Sequence, residues 1–184
     1  MNIHFEKASF NHIDTIFKWL LEPHIIEFWD NSQNHKDDII NFVEGRKKPS
    51  PYFKGMNTYW VGFSDGTPYA FMMSHYESEK TDSPQSFIPY LSKTGKTIGL
   101  DFCIGNIDYL GKGLAAPTLI AFMTYFSTVI DTDVDTYIID PFDDNPRAIH
   151  VYQKAGFEIR DELVQQNGYF SGKRAIVMVK KMPH

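Results

Sequence analysis

Apolar residues recur along this chain with two different periods. Between residues 96 and 104 they alternate. Ile98, Leu100, Phe102 and Ile104 fall on one face, and Thr97, Gly99, Asp101 and Cys103 on the other. Period two predicts a strand over Lys96–Ile104. Near the start, Ile13, Ile16, Phe17 and Leu20 recur at i, i+3, i+4 and i+7. That period predicts a helix, capped by Ser9 or Asn11 and ended by Pro23. The same reading predicts strands at 2–8, 59–63, 69–76, 134–140, 157–164 and 173–180. Helical pieces are expected at 24–30, at 35–43 with Gly45 as the stop, at 113–126 and at 146–155. The last is well signed, with Asn145 as cap, Pro146 at the first position and Gly156 at the end. Asp65-Gly66 between two aromatic-rich runs predicts a hairpin. Residues 77–95 are polar, hold two prolines and read as a long loop, either a lid or a plain surface excursion. Strands and helices mix along the whole length with no linker or repeat. The fold class expected is α/β or α+β around a central sheet, as one domain over 1–184.

Composition narrows the function classes. The formal net charge is -5, so there is no basic footprint for nucleic acid. The one short basic run, Arg46-Lys47-Lys48, sits beside Pro49 and Pro51 and reads as a solvated loop. Cys103 is the sole cysteine, which excludes an intrachain disulfide and a cysteine metal cluster. No apolar stretch reaches the ~18 residues of a membrane span, and the first residues lack a signal-peptide pattern. The expectation is a cytoplasmic protein, monomer or homodimer, without metal, membrane or nucleic-acid partners.

The chemistry concentrates in two segments. In Lys96–Ala116 a strand leads through the Gly-x-Gly turn Gly111-Lys112-Gly113 into a helix. The first N–H groups of a helix lack internal partners and carry the positive end of its dipole. Such a turn is a ready anion site, and glycines let the backbone approach a phosphate. The second segment is Asp140-Pro-Phe-Asp-Asp-Asn145-Pro-Arg-Ala-Ile-His-Val-Tyr152-Gln-Lys-Ala-Gly-Phe157.

Together the two segments resemble the pyrophosphate loop and the late motif of the GNAT superfamily of N-acetyltransferases, in the family's order. Trp19-Leu20, Pro23-His24-Ile25, Trp29, Gly99-Leu100-Asp101 and Asp140-Pro141 resemble the aminoglycoside 6'-N-acetyltransferases and the related siderophore-type acyltransferases. The resemblance implies a GNAT fold, with one mixed sheet of about six to seven strands and about four helices. It implies acetyl-CoA as co-substrate and a primary amine of a cationic small molecule as acceptor. Gly111, Lys112, Gly113, Leu114 and Ala115 match the loop that holds the CoA pyrophosphate. Phe102, Cys103 and Ile104 match the strand end that pairs with pantetheine. Asn145 matches a polar residue that reaches the cofactor arm, and Tyr152 the tyrosine that protonates the departing thiolate. Two departures stand out. Asp108 occupies a place where the family usually has Gln or Arg, and the final hairpin, residues 165–174, holds no acid.

An amine acceptor is mostly protonated at neutral pH, and freeing it costs about 1.4 kcal/mol per pKa unit. The site therefore needs carboxylates and a route for the proton. Asp101, an acid in an apolar strand, is the first candidate for base or ammonium binder. Asp140, at a strand end where α/β sites open, is a candidate to bind a second ammonium. Trp29 is expected on the acceptor side by the resemblance, with Trp60, Glu77, Glu79 and Asp82 as further lining, although a solvated loop is the plainer reading for these acids. Cys103 is a conceivable covalent carrier, but a strand cysteine is more often packing. Three rivals remain: acylation of a hydroxylysine, polyamine or protein amine; a non-catalytic acyl-CoA sensor; and a dinucleotide domain. The last is disfavoured because Ala116 and Pro117 break the Gly-x-Gly-x-x-Gly pattern.

Overall fold

The computed structural model describes residues 2–46, 50–81 and 83–182. Among the described residues seven strands form: β1 (Ile3–Lys7), β2 (Thr58–Ser64), β3 (Thr67–Glu77), β4 (Lys96–Ile104), β5 (Val134–Ile139), β6 (Glu158–Val164) and β7 (Arg174–Lys181). They make one sheet in the order β1-β2-β3-β4-β5-β7-β6. The sheet is mixed. β4 and β5 run parallel, while β1/β2, β2/β3, β5/β7 and β6/β7 are antiparallel. Five α-helices among the described residues join them: α1 (Ile13–Leu20), α2 (Pro23–Ile26), α3 (Gln33–Val43), α4 (Ala115–Tyr125) and α5 (Pro146–Lys154). The α/β class and the strand count are as expected, with one more helix.

Local chemistry explains the elements. Ser64 faces Thr67 across a two-residue turn in which Asp65 and Gly66 take φ 49° and 82°. Two positive φ values in succession give the turn whose twist suits a hairpin. The parallel pair β4/β5 needs a long crossover, and α4 supplies it. α5 begins as read, with Asn145 Oδ1 accepting from the Ala148 N–H at 3.1 Å.

Three expectations are corrected. Pro23 does not stop α1, which ends at Leu20; it opens α2, because the first helical position needs no N–H. The crossover helix starts at Ala115, two residues late, because Gly113 at φ 71° cannot be helical, and it continues through a π turn at Phe126–Ile130. Arg46 does not lie in a solvated loop. It donates to Asp38 Oδ1 at 2.7 Å and to the Asn57 carbonyl, and Tyr59 Oη donates to Asp38 Oδ2 at 2.7 Å. Asp38 is wholly buried. Lys47, Lys48 and Asp82 lie outside the described residues.

The chain divides into two compact units. One holds the chain up to Ser74 with Phe102–Leu114, the other His75–Asp101 with the chain from Ala115. The first packs Ile16, Trp19, Leu20, Ile39, Tyr59 and Phe71 in its core. The second packs Phe87, Ile138, Val177 and Val179. β6 borders the sheet. It is nearly all exposed, carries Glu158, Arg160, Asp161 and Glu162, and slips register between Ile159 and Asp161. Among the described residues no helix is long and apolar enough to cross a membrane.

Candidate active site

The ladder between β4 and β5 runs only to Gly99↔Ile138. Leu100 and Asp101 continue β4 beyond it, and Asp140 follows the end of β5. The two strand ends thus part where the two acids stand. Asp101 and Asp140 are both half-buried. Gln165 Nε2 donates to Asp140 Oδ2 at 2.8 Å, which anchors that carboxylate to the final hairpin.

The last residues of β3 complete the cluster. His75 Nε2 lies 2.7 Å from Glu77 Oε1, and Ser83 Oγ donates to Glu77 Oε2. Glu77 is buried, not solvated as expected, because β3 runs on to include it. Gly99 makes room for the pair. A Cβ there would stand 2.7 Å from both Glu77 Oε1 and His75 Nε2. Gly99→Ala should therefore displace the pair and destabilise the protein by about 1–3 kcal/mol, as overpacking does. Thermal unfolding checks it, and an unchanged midpoint would refute the close fit.

Charge in the cluster is set by burial and by mutual proximity. Desolvation, aided by Glu77 and opposed by His75, raises Asp101 to about 6. Desolvation raises Asp140 to about 7; Asp101 and Glu77 add to this, and Gln165 and His75 oppose it. Burial opposes the His75 cation, but the Glu77 hydrogen bond and the surrounding carboxylates outweigh it and raise its pKa. Burial likewise opposes the Glu77 anion, and the His75 contact overcomes it and lowers its pKa. The result is an imidazole whose charged form is favoured, beside three carboxyl groups, two of which are raised toward neutrality. Such a cluster can hold an ammonium and accept a proton from it.

The glycine turn is open. Gly111 and Gly113 both take φ 71°, and a Cβ at either would meet nothing within 4 Å. The glycines are demanded by backbone direction, not by crowding. Residues 111–113 are exposed, and α4 starts at Ala115 just beyond Leu114. The open backbone of the turn is thus suited to a diphosphate. Lys112 Nζ rests 5.5 Å from the centre of the Tyr109 ring. Asp108 is exposed, with its N–H given to Asn106 Oδ1.

The remaining expected residues fall as follows. Phe102 and Ile104 are buried and Cys103 half-buried, packed on the first core. His24 Nε2 sits 2.9 Å from the Ile104 carbonyl. Asn145 caps α5 with its side chain. Tyr152 is buried on α5, with its ring centre 6.1 Å from that of Phe157. Trp29 lies in the core against Phe71 and His35. Trp60 is buried, its Nε1 donating to Ser74 Oγ at 2.9 Å. Glu79 is exposed. The structure therefore brings Asp101 and Asp140 into one cluster and adds His75 and Glu77. His75 was missed by sequence reasoning; the signal available was a His-x-Glu on one face of a strand end.

Comparison with known proteins completes the picture. A family model described as an acetyltransferase (GNAT) domain matches residues 9–164. An aminoglycoside N(6')-acetyltransferase type 1 of Klebsiella pneumoniae is 24% identical over 159 residues, covering 83% of this chain and 72% of that one. The crystal structure of an aminoglycoside N(6')-acetyltransferase from Legionella pneumophila aligns with a TM-score of 0.74 at 24% identity, over 97% of this chain and 92% of that one. A structure of AAC(6')-Ib in complex with paromomycin and acetyl-CoA aligns with a TM-score of 0.72 at 22% identity, over 98% and 94%.

Proposed function

This chain belongs to the GNAT acetyltransferase family, and we propose that it transfers acetyl from acetyl-CoA to a primary amine of a cationic small molecule, its two compact units acting as one catalytic domain. It is an acyltransferase. The observation that carries the acceptor reading is the pair Asp101 and Asp140, half-buried beside the parted ends of β4 and β5. When bound, acetyl-CoA supplies the activated acyl group. Asp101 takes the proton that the acceptor ammonium must lose, and Asp140 holds a second positive group. The glycine turn receives the diphosphate through its backbone. Asn145 stands at the cofactor arm, and the Tyr152 hydroxyl holds a proton for the leaving sulfur. The strand end Phe102–Ile104 offers backbone groups to the pantetheine chain, with the Ile104 carbonyl already engaged by His24.

The acceptor class is open to direct test. An aminoglycoside 6'-amine is the first candidate, on likeness to enzymes named for it. One observation favours another amine, such as a hydroxylated lysine, a polyamine or a protein amine. The final hairpin has no acid, and four acids beside it are already engaged: Asp140 by Gln165 at 2.8 Å, Glu162 by Arg174 at 2.7 Å, Asp143 by Arg174 at 3.3 Å and Asp144 by Lys173 at 3.8 Å. Release of free thiol from acetyl-CoA should accompany addition of kanamycin, spermidine or a hydroxylated lysine. Absence of thiol release across that panel, with coenzyme A still binding by calorimetry, would instead establish a non-catalytic sensor. Absence of coenzyme A binding would remove the reading altogether.

The turn makes its own prediction. Gly113→Val forces a branched side chain into left-handed backbone and blocks the diphosphate approach. Affinity for coenzyme A should weaken about tenfold, ~1.4 kcal/mol, while KM for the amine stays the same. Calorimetry with coenzyme A reads it, and undiminished affinity counts against the turn.

A further inference from the structure

Amine acetylation as read above uses Asp101 and Asp140 but gives no task to His75 and Glu77. Both are costly to keep. The Glu77 side chain is 3% exposed and that of His75 18%, and a buried charge is tolerated only with a partner. The pair is also built in from three directions. Its members occupy alternate positions on one face of β3, Ser83 fixes the far oxygen of Glu77, and Gly99 of β4 leaves the space they fill. That space lies at the last rung of the β4–β5 ladder, two residues before Asp101 on one strand and two before Asp140 on the other.

We propose that the His75–Glu77 pair, seated on Gly99, is a positioning element that fixes a positive charge beside Asp101 and so keeps that carboxylate ready to receive the acceptor's ammonium. The charged groups acting on His75 are Glu77 from its own strand, Asp101 from β4 and Asp140 from the end of β5; Gln165 from the hairpin adds a neutral dipole at Asp140. Without the imidazolium, three carboxylates would crowd one half-buried place. They would relieve their repulsion by taking up protons, and a protonated Asp101 can accept nothing from an ammonium. Glu77 is the buried anchor that keeps His75 charged.

The inference rests on the acetyl-transfer reading for its activity arm only. Its primary test is an NMR titration of the intact protein without substrate. His75 should titrate above the ordinary value of 6.5, and Glu77→Gln should bring it down. His75→Gln keeps a nitrogen toward Glu77 but no charge. In that variant the Asp101 carboxyl should titrate higher, by roughly one unit, and the acid limb of kcat/KM should move with it. A native His75 that titrates below 6.5 would overturn the inference. So would an Asp101 titration that is the same with and without the imidazole, even if activity fell. Should the carboxyl titration move while the acid limb stays, the inference stands and Asp101 loses its part in proton acceptance.

Discussion

Asp101→Asn should lower kcat/KM by about 10²–10⁴-fold, the usual worth of a positioned proton acceptor. The amide keeps the shape and the hydrogen-bonding oxygen but cannot take a proton. The pH profile distinguishes this from loss of a mere contact. Burial raises Asp101 to about 6, so the carboxylate form grows as pH rises through that value. Wild-type kcat/KM should climb over the same interval, and the limb near 6 should vanish in Asp101→Asn. Asp140, at about 7, adds a second and higher limb in the wild type, and in Asp101→Asn this limb alone should remain, moved down because the Asp101 charge that helps to raise it is gone. An undiminished rate, or a profile that keeps its lower limb, would remove Asp101 from the reaction. The same shifts carry a stability corollary. Both folded values lie above the ordinary 3.8. The protonated forms therefore stabilise the fold below that value, and this contribution is lost as pH rises through about 6 and 7. A bound ammonium should restore it, so acceptor binding should raise the unfolding temperature more at neutral than at acid pH.

Arg46→Ala is the second large effect, and it concerns folding alone. Asp38 is wholly buried, and its carboxylate is satisfied by Arg46 and Tyr59. Removing the guanidinium strands a buried anion, which costs about 3–5 kcal/mol. For a chain of this length that lowers Tm by about 6–20 °C. Lys96→Ala breaks ion pairs to Asp131 and Asp133 on the surface and should leave the midpoint nearly unchanged. Thermal unfolding of the two variants side by side makes the comparison. An Arg46→Ala shift no larger than that of Lys96→Ala would show the buried network to be inert.

These two residues also mark how far a sequence can be read. β4 was legible to its ends, because alternation over nine residues leaves one register. α5 was legible because Asn145, Pro146 and Gly156 each act locally, through a cap, a fixed φ and a positive φ. Asp101 was legible as an acid in an apolar strand. The role of Arg46 was not, since its partners Asp38, Asn57 and Tyr59 come from other segments. Pro23 was misread because proline is equally at home just outside one helix and at the head of the next. The π turn at Phe126–Ile130 has no sequence mark, only a continued helical run. His75 escaped, and Glu77 was read as a loop acid and not as its buried partner, for a different reason. Alternate positions on a strand are visible in sequence, but the vacancy over Gly99 that admits them belongs to the neighbouring strand.

The outer strand β6 has a consequence of its own. Its charges and the skipped beat at Arg160 mean that an incoming polypeptide would meet repulsion and mismatched spacing along that border. Accretion of copies rung upon rung is thereby discouraged, and concentrated solutions should stay clear of fibrous growth from that side.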